Sequence, residues 1–249
     1  MKKLLLVTLV ACGSKPAPQA PPPPPLGSDA AKPPESSTQA PDTADRKRAS
    51  VTLPEELSWR SGTAPISPGM LFAKVQAGAA FDLTQGPAVV VQGAVMNEKG
   101  QQVVYWNQHA HRLMCSKDRD CIVFVHADVE AGSKDLLASE LGWAPLDPSR
   151  PDPLVVPLWG DATAGPNGFL MKMKAGGGPF WHVHKSDYQG VVLVGNVVSY
   201  ESGTQPKVMP PGSTWWQPRG NKHTTDCQGP SDCVVYLDFA GAFDVKPVP

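Results

Sequence analysis

Three histidines in the C-terminal half of the chain have types and spacing that could serve chemistry. His182 and His184 are separated by one residue, and residues two apart in a strand point to the same face of a sheet. Further along, Pro218 and Gly220 predict a tight turn that brings His223 to the start of another strand. Metal binding is the chemistry that clustered imidazoles most often support. A purely structural role for the three rings is the alternative.

Aromatic residues surround these histidines. Strand parity predicts that about half of them line a cavity and that the rest point outward as ordinary packing residues. An aromatic pocket beside a metal suits a small, partly apolar ligand. The residues are Phe180, Trp181, Tyr188, Trp215 and Trp216.

The glycines before the histidines complete two motifs. Five residues separate Gly176 from His182, and five residues separate Gly212 from Pro218. These segments resemble the paired motifs of the cupin superfamily, G-x5-H-x-H and G-x5-P-x-G-x2-H, over roughly residues 168 to 240. Within that superfamily, the stretch from Trp181 to Tyr188 is most similar to the ChrR-like cupins, a group classed under domains of unknown function.

The resemblance implies a jelly-roll barrel that holds one divalent metal ion on His182, His184 and His223. Cupins usually add a glutamate shortly after the second histidine, which this chain lacks. Gln189 or water is therefore expected in the fourth position, with Asp187 and Asp226 as further carboxylate donors. Three neutral histidines with open positions suit Fe, Zn, Mn, Ni or Cu, so the metal is not identified.

The N-terminus has the pattern of a targeting signal followed by a linker. Lysines and a short apolar run precede Cys12, and the run is too short to span a bilayer. Residues 9–12 resemble a bacterial lipobox, which implies a signal peptide over residues 1–12, lipidation of Cys12 and a lipid-anchored place in the bacterial cell envelope. A buried first helix with an incidental cysteine is the alternative. Residues 13–50 are rich in proline and predict a disordered linker biased towards polyproline II.

Four further cysteines form two pairs with the same spacing of six, Cys115 with Cys121 and Cys227 with Cys233. Each pair flanks a short polar segment and is followed by an apolar run, as in two strands joined by a hairpin. Export favours a disulfide across each hairpin over a zinc site made from all four cysteines.

The cysteine pattern belongs to an internal repeat that covers the globular region. Short Val-rich runs separated by Gly, Pro and Asn predict strands throughout, with one helix at Ser133 to Gly142. The fold class is therefore all-β, with two tandem cupin modules at residues 51–155 and 156–249. The matching segments are Trp59 with Trp159, Ala73–Gly78 with Met171–Gly176, Ala88–Gly93 with Gly190–Gly195, and Asp120-Cys121 with Asp232-Cys233.

The first module lacks the equivalent motifs and is expected to bind no metal. It reads Phe81 to Gln85 where the second has its spaced histidines, and it has no Pro-x-Gly turn before His111. His109 and His111 are a weaker alternative metal site. His126 aligns with Asp238, and no role for it follows from the sequence.

Composition and motifs leave two classes of function open. The net charge is −1, with 22 basic and 23 acidic residues spread along the chain, which argues against a nucleic-acid partner. A three-histidine metal site could belong to a dioxygenase-like enzyme acting on a small organic substrate. It could also belong to a non-catalytic lipoprotein that binds or senses a metal or small ligand, with the first module as a platform for a homodimer. A purely structural lipoprotein is the third possibility. The fold alone does not distinguish the three functions.

Overall fold

The computed structural model describes residues 49–60, 63–67, 69–82, 86–106, 112–127, 129 and 135–249, all within one compact unit, Asp45–Pro249. Cys12, the signal peptide, His109 and His111 lie outside the described residues, as does nearly all of the predicted linker. No helix within the described ranges is long and apolar enough to cross a membrane.

The described chain is built almost entirely from strands. The first are β1 (Ser50–Thr52), β2 (Thr63–Ser67), β3 (Met70–Val75), β4 (Ala80–Asp82), β5 (Ala88–Gln92), β6 (Val95–Met96), β7 (Gln102–Trp106), β8 (Arg112–Cys115), β9 (Cys121–His126) and β10 (Leu136–Leu137). The later strands are β11 (Ala144–Asp147), β12 (Arg150–Gly160), β13 (Asn167–Met173), β14 (His182–Val183), β15 (Tyr188–Val194), β16 (Asn196–Glu201), β17 (Lys207–Met209), β18 (Thr214–Gln217), β19 (His223–Gln228), β20 (Cys233–Phe239) and β21 (Lys246–Pro247). Two 3-10 turns cover Pro54–Glu56 and Ala138–Glu140.

The predicted helix at Ser133 to Gly142 is wrong over the part that the structure describes. Leu136 pairs with Tyr105 and Leu137 with Val103, so this stretch adds a short strand to the edge of β7. A single 3-10 turn follows it. Tertiary pairing with an available sheet edge outweighs the helical preference of a segment too short to form a stable helix.

Two sheets face each other in the second module and enclose its core. The seven-stranded sheet has the order β1-β18-β15-β20-β13-β12-β11, and the five-stranded sheet has the order β17-β16-β19-β14-β21. Buried side chains from both sheets, among them Met173, Val192, Val197 and Met209, form one cluster. This is the jelly-roll arrangement, in which the inward face of each strand is apolar.

The first module is a nine-stranded sheet. Eight of its strands follow the order β2-β3-β9-β5-β7-β6-β8-β4, and the ninth, β10, pairs with β7. The sheet encloses a separate cluster that includes Val95, Val103 and Trp106. The predicted boundary at residues 155 and 156 falls inside β12, which hydrogen-bonds within the seven-stranded sheet together with β11 and β1. The boundary itself stays a prediction.

Both predicted disulfides are present in the structure. Cys115 is bonded to Cys121 and Cys227 to Cys233, each across a hairpin. The four cysteines are therefore not free to form the alternative zinc site.

The two modules meet through a third apolar cluster, to which both contribute. Phe124 of β9 and Tyr236 of β20 hold equivalent places in the repeat, and their ring centroids lie 5.6 Å apart. His126 and Asp238 are likewise equivalent, and their Nδ1 and Oδ2 atoms are 2.5 Å apart. Equivalent residues of the two repeats thus contact each other directly.

Candidate metal centre

The structure brings His182, His184 and His223 together inside the second barrel. His182 lies on β14 opposite His223, the first residue of β19, and His184 follows β14 directly. The potential ligand atoms of the three rings all lie within 4.8 Å of one another, and all three residues are buried. The strand parity and the Pro-x-Gly turn inferred from the sequence thus bring the rings to one place.

Each ring is fixed by a hydrogen bond from its Nδ1 atom to a backbone carbonyl. His182 Nδ1 lies 2.7 Å from the carbonyl oxygen of Phe180, and His223 Nδ1 lies 2.9 Å from that of Asn221. His184 Nδ1 bonds to the carbonyl oxygen of Asp244. Because a carbonyl oxygen can only accept a hydrogen bond, each Nδ1 must carry the ring proton. In a neutral imidazole the Nε2 atom then carries a lone pair.

The Nε2 atoms of the three rings lie close together, and that of His223 accepts a hydrogen bond from the Tyr188 hydroxyl. His182 Nε2 and His184 Nε2 lie 3.1 Å apart, a separation at which two lone pairs repel unless a cation lies beside them. Burial lowers the pKa of all three rings, and with a smaller contribution from the neighbouring imidazoles the pKa falls to about 4 for His184 and to about 3 for His223. A proton is therefore a poor candidate for that cation. The donor set fits a divalent metal ion, which binds neutral imidazole.

Tyr188, rather than Gln189, borders the histidines. The Tyr188 hydroxyl lies 2.9 Å from His223 Nε2, which can only accept, so the hydroxyl donates. It accepts in turn from Trp215 Nε1 at 3.3 Å. Gln189 is the next residue of β15, and alternation turns its side chain to the other face of the sheet. Gln189 in the fourth position stays a prediction, while the side chain that borders His223 is that of Tyr188.

His182 and His184 lie in the wall of a cavity of about 720 Å³, here called the histidine cavity. The hairpin of β11 and β12 forms one side, and the segment from Phe243 to Pro247 forms another. Both regions lie outside the two cupin motifs. Trp181 and Trp216 are not among its lining residues, so about half of the five aromatic residues line the cavity, as predicted. The apolar lining includes Met171, Phe180, Tyr188, Trp215, Leu237, Phe239 and Phe243.

A second cleft of about 660 Å³ opens between the modules. Its walls come from both, with Phe72 and Leu170 at equivalent places in the repeat. None of its described lining residues is a histidine or a carboxylate. The histidine cavity is therefore the better candidate for chemistry.

Two positioning features were missed by sequence reasoning. The carbonyl of Asp244 fixes His184, and the ring of Phe243 packs against His184 with centroids 5.9 Å apart. A backbone carbonyl is common to every residue, so no sequence signal marks the one that matters. Arg150, at the start of β12, also lines the cavity, and only the folded hairpin brings it there.

Comparison with known proteins finds one family model, of unknown function, and solved structures with the same fold. The model for a domain of unknown function (DUF4437) matches residues 136–249. Oxalate decarboxylase from Lactobacillus farciminis, solved as a formate complex, has a TM-score of 0.50 at 12% identity over 84% of this chain and 92% of that one. Salicylate 1,2-dioxygenase from Pseudaminobacter salicylatoxidans has a TM-score of 0.50 at 12% identity over 81% and 88%. The fold is that of a two-module cupin.

At these identities the similarity extends to the fold alone. A variant of Bacillus subtilis oxalate decarboxylase gives the same result, with a TM-score of 0.50 at 11% identity over 80% of this chain and 79% of that one. No curated protein matches the sequence. The similarity to ChrR-like cupins stays a prediction.

Proposed function

We propose that the second module binds one divalent metal ion through His182, His184 and His223 and acts on a small organic substrate, in the manner of a non-haem metal dioxygenase. The observation that supports this proposal is the convergence of three unprotonated Nε2 atoms beside an apolar cavity. When bound, the metal would supply a Lewis acid with open coordination positions for a substrate oxygen.

The residues of the chain supply the setting for that chemistry. Trp215, Phe239 and Phe243 exclude water from the cavity wall, which strengthens electrostatic interactions inside it. The Tyr188 hydroxyl is a buried proton donor beside His223. It donates to His223 Nε2 here, and a metal bound by that atom would free the hydroxyl to donate to a neighbouring ligand.

A non-catalytic role in metal or small-ligand binding is the second candidate. The contacts of Asp244 favour it, because this carboxylate borders the cavity but is bound by Lys185. The backbone N–H of Lys185 lies 2.8 Å from it and the ammonium lies 3.7 Å from it. No carboxylate joins the three rings in the cluster of potential metal ligands found among the described residues. A catalytic acid or base would then have to be Tyr188 or a group of the substrate.

Metal analysis tests the proposal. Replacing His182, His184 or His223 by Ala leaves two protein ligands, too few to hold a divalent ion against competing chelators. Metal content in protein purified without chelator should fall from near one ion per chain to near zero. His126→Ala is the matched control and should retain the metal, because His126 lies at the module interface. Full occupancy in the His182→Ala, His184→Ala double variant would contradict the proposal.

Oxygen uptake then separates the two candidates. Wild-type protein that contains iron and consumes oxygen with a panel of small diketones and thiols would support the oxygenase. Zinc without turnover would support the binding protein.

We further propose that lipidation of Cys12 anchors the protein in the bacterial cell envelope. The support is the lipobox resemblance and the two disulfides, which suit an oxidising compartment. Cys12→Ser should abolish labelling by a radioactive fatty acid and partition into detergent, since the lipid supplies the anchor. Unchanged labelling of that variant would refute the anchor.

A further inference from the structure

The second cleft, here called the intermodule cleft, continues the apolar cluster that joins the two modules. Phe72, Val89, Val91 and Leu170 belong to that buried cluster and also line the cleft. The cleft is therefore walled mainly by aliphatic side chains. Partly buried residues that pack against the cluster also form its wall, among them Ile122, Leu141 and Leu193.

Large apolar side chains in the intermodule cleft are open to water. Val194 is 48% exposed and Trp59 is 37% exposed, and both line the cleft. The volume of about 660 Å³ lies within the range of small-molecule sites, roughly 300 to 1,000 Å³. Exposed apolar surface of this kind is typical of a binding site, because a ligand that covers the surface removes it from water.

The charged groups at the wall of this cleft are cations. Arg119, in the hairpin between β8 and β9, is the one charged residue in the described lining. Lys172 lies next to the lining, with its ammonium 4.7 Å from the centroid of the Trp143 ring. The second module contributes only uncharged residues to the described lining, such as Leu193 and Val234. A cation from one module thus adjoins an apolar surface from the other, which is the complement of an anionic amphiphile.

The guanidinium of Arg119 is exposed, and no ion pair between described residues involves it. The neighbouring carboxylate, that of Asp120, is bound by Lys74 Nζ at 3.1 Å and by the backbone N–H of Ala77 at 3.0 Å. The disulfide between Cys115 and Cys121 closes the hairpin that carries Arg119. A guanidinium presented in this way can bind a ligand carboxylate through two N–H groups.

We infer that the intermodule cleft binds a free fatty acid, with its carboxylate on Arg119 and its alkyl chain against the aliphatic wall. A flexible alkyl chain can follow a wall that two modules share, and it buries the exposed surface of Val194 and Trp59. The inference goes beyond the proposed function and does not depend on it, because no potential metal ligand belongs to the described lining of this cleft.

Calorimetric titration with straight-chain probes tests the inference. The full chain is used as Cys12→Ser, so that no lipid on the protein competes with the probe. Two more buried methylenes should make decanoate bind roughly tenfold more tightly than octanoate. Decyltrimethylammonium, with the same chain and the opposite charge, should bind more weakly than either. No binding of decanoate, or equal binding of decanoate and decyltrimethylammonium, would overturn the inference.

Two pairs of variants locate the ligand. Arg119→Gln should weaken decanoate roughly fivefold, as expected for an exposed ion pair, and leave uncharged decanol unchanged. Arg112→Gln, at an exposed arginine of β8, is its control and should change neither. Val194→Asp places a negative charge in the cleft and should abolish decanoate binding. Val208→Asp is the matched control, because Val208 is 53% exposed and lies outside the described lining, and it should bind decanoate like the parent protein.

Metal removal distinguishes this cleft from the histidine cavity. Chelator-treated and metal-loaded protein should bind decanoate equally, since the cleft needs no metal. Binding that requires the metal, or that survives Val194→Asp, would place the anion elsewhere and overturn the inference, while the proposed metal site would stand. Circular dichroism checks that each variant is folded. If Val194→Asp were unfolded, Arg119→Gln would still decide, and decanoate binding unchanged in that variant would overturn the inference.

Discussion

At the scale of single residues, the site depends on where three protons lie. His182 and His223 each donate Nδ1–H to the carbonyl two residues earlier in the chain, at Phe180 and Asn221. His184 has no such local partner and uses the carbonyl of Asp244. The Nε2 lone pairs are thereby fixed before any ion arrives, which lowers the cost of ordering the ligands.

The same arrangement makes the stability of the metal-free protein depend on pH. Burial holds the pKa of His184 at about 4 and that of His223 at about 3, below the ordinary value near 6.5. Between these values the unfolded chain binds protons that the native protein does not. Native stability is thus complete above about pH 6.5 and falls as the pH is lowered towards 4.

Urea unfolding of chelator-treated protein at pH 7 and pH 4.5 measures this dependence. His223→Gln cannot titrate at that position, so the loss of unfolding free energy between the two pH values should be smaller by roughly 2 kcal/mol. Other titrating groups are common to both proteins and cancel in the comparison. An identical loss in wild type and variant would show that His223 is not held neutral.

At the scale of elements, the repeat places a glycine against each disulfide. Gly93 and Gly195 hold equivalent places after β5 and β15, with φ of +83° and +79°. A Cβ atom on Gly195 would lie 2.7 Å from Cys233 Sγ, and one on Gly93 would lie 2.8 Å from Cys121 Sγ. The matching glycines in the sequence therefore reflect a close approach to sulfur as well as a backbone conformation that favours glycine.

Gly195→Ala should destabilise the protein through both effects, and Gly203→Ala isolates one of them. Gly203 has the same φ of +79°, but a Cβ atom added there would meet no other atom within 4 Å. We expect Gly203→Ala to lower the free energy of unfolding by about 1 kcal/mol from backbone strain. Gly195→Ala should cost about 1–3 kcal/mol more because the hairpin must shift. If urea unfolding showed the same loss of free energy for both variants, the disulfide would have to shift without cost.

The elements show how far the sequence determines the structure. The Val-rich runs, the cysteine spacing and the two glycine-histidine motifs are local patterns, and they predict the strands, the disulfides and the cluster of three rings. The pairing of Leu136 with Tyr105 and the Asp244 carbonyl at His184 join distant segments. No local pattern records such contacts. Tyr188 escaped prediction for a related reason, because the family pattern marks a region and the parity of β15 then brings Tyr188 to His223.

At the scale of the whole molecule, a polar network ties the two modules together. His126 of the first module contacts Asp238, which also accepts from the Tyr236 hydroxyl at 2.9 Å. Trp159 Nε1 donates to the same hydroxyl at 2.9 Å. Asp238 is only 4% exposed, so its carboxylate depends on these partners in place of water. The first module thus stabilises strand β20, whose neighbouring residues Leu237 and Phe239 line the histidine cavity.

A double-mutant cycle measures the strength of this connection. Asp238→Ala should lower the free energy of unfolding by about 3 kcal/mol, since it leaves His126 and the Tyr236 hydroxyl without their acceptor. The coupling energy between His126→Ala and Asp238→Ala should reach about 1–3 kcal/mol, as expected for buried residues in direct contact. Lys74 and Asp120 form the control pair, with a 3.1 Å contact and side chains 49% and 39% exposed. Solvent screens that pair, so its coupling should stay below about 1 kcal/mol. If both cycles gave the same coupling energy in urea unfolding, the buried network would stabilise the module interface no more than an exposed ion pair does.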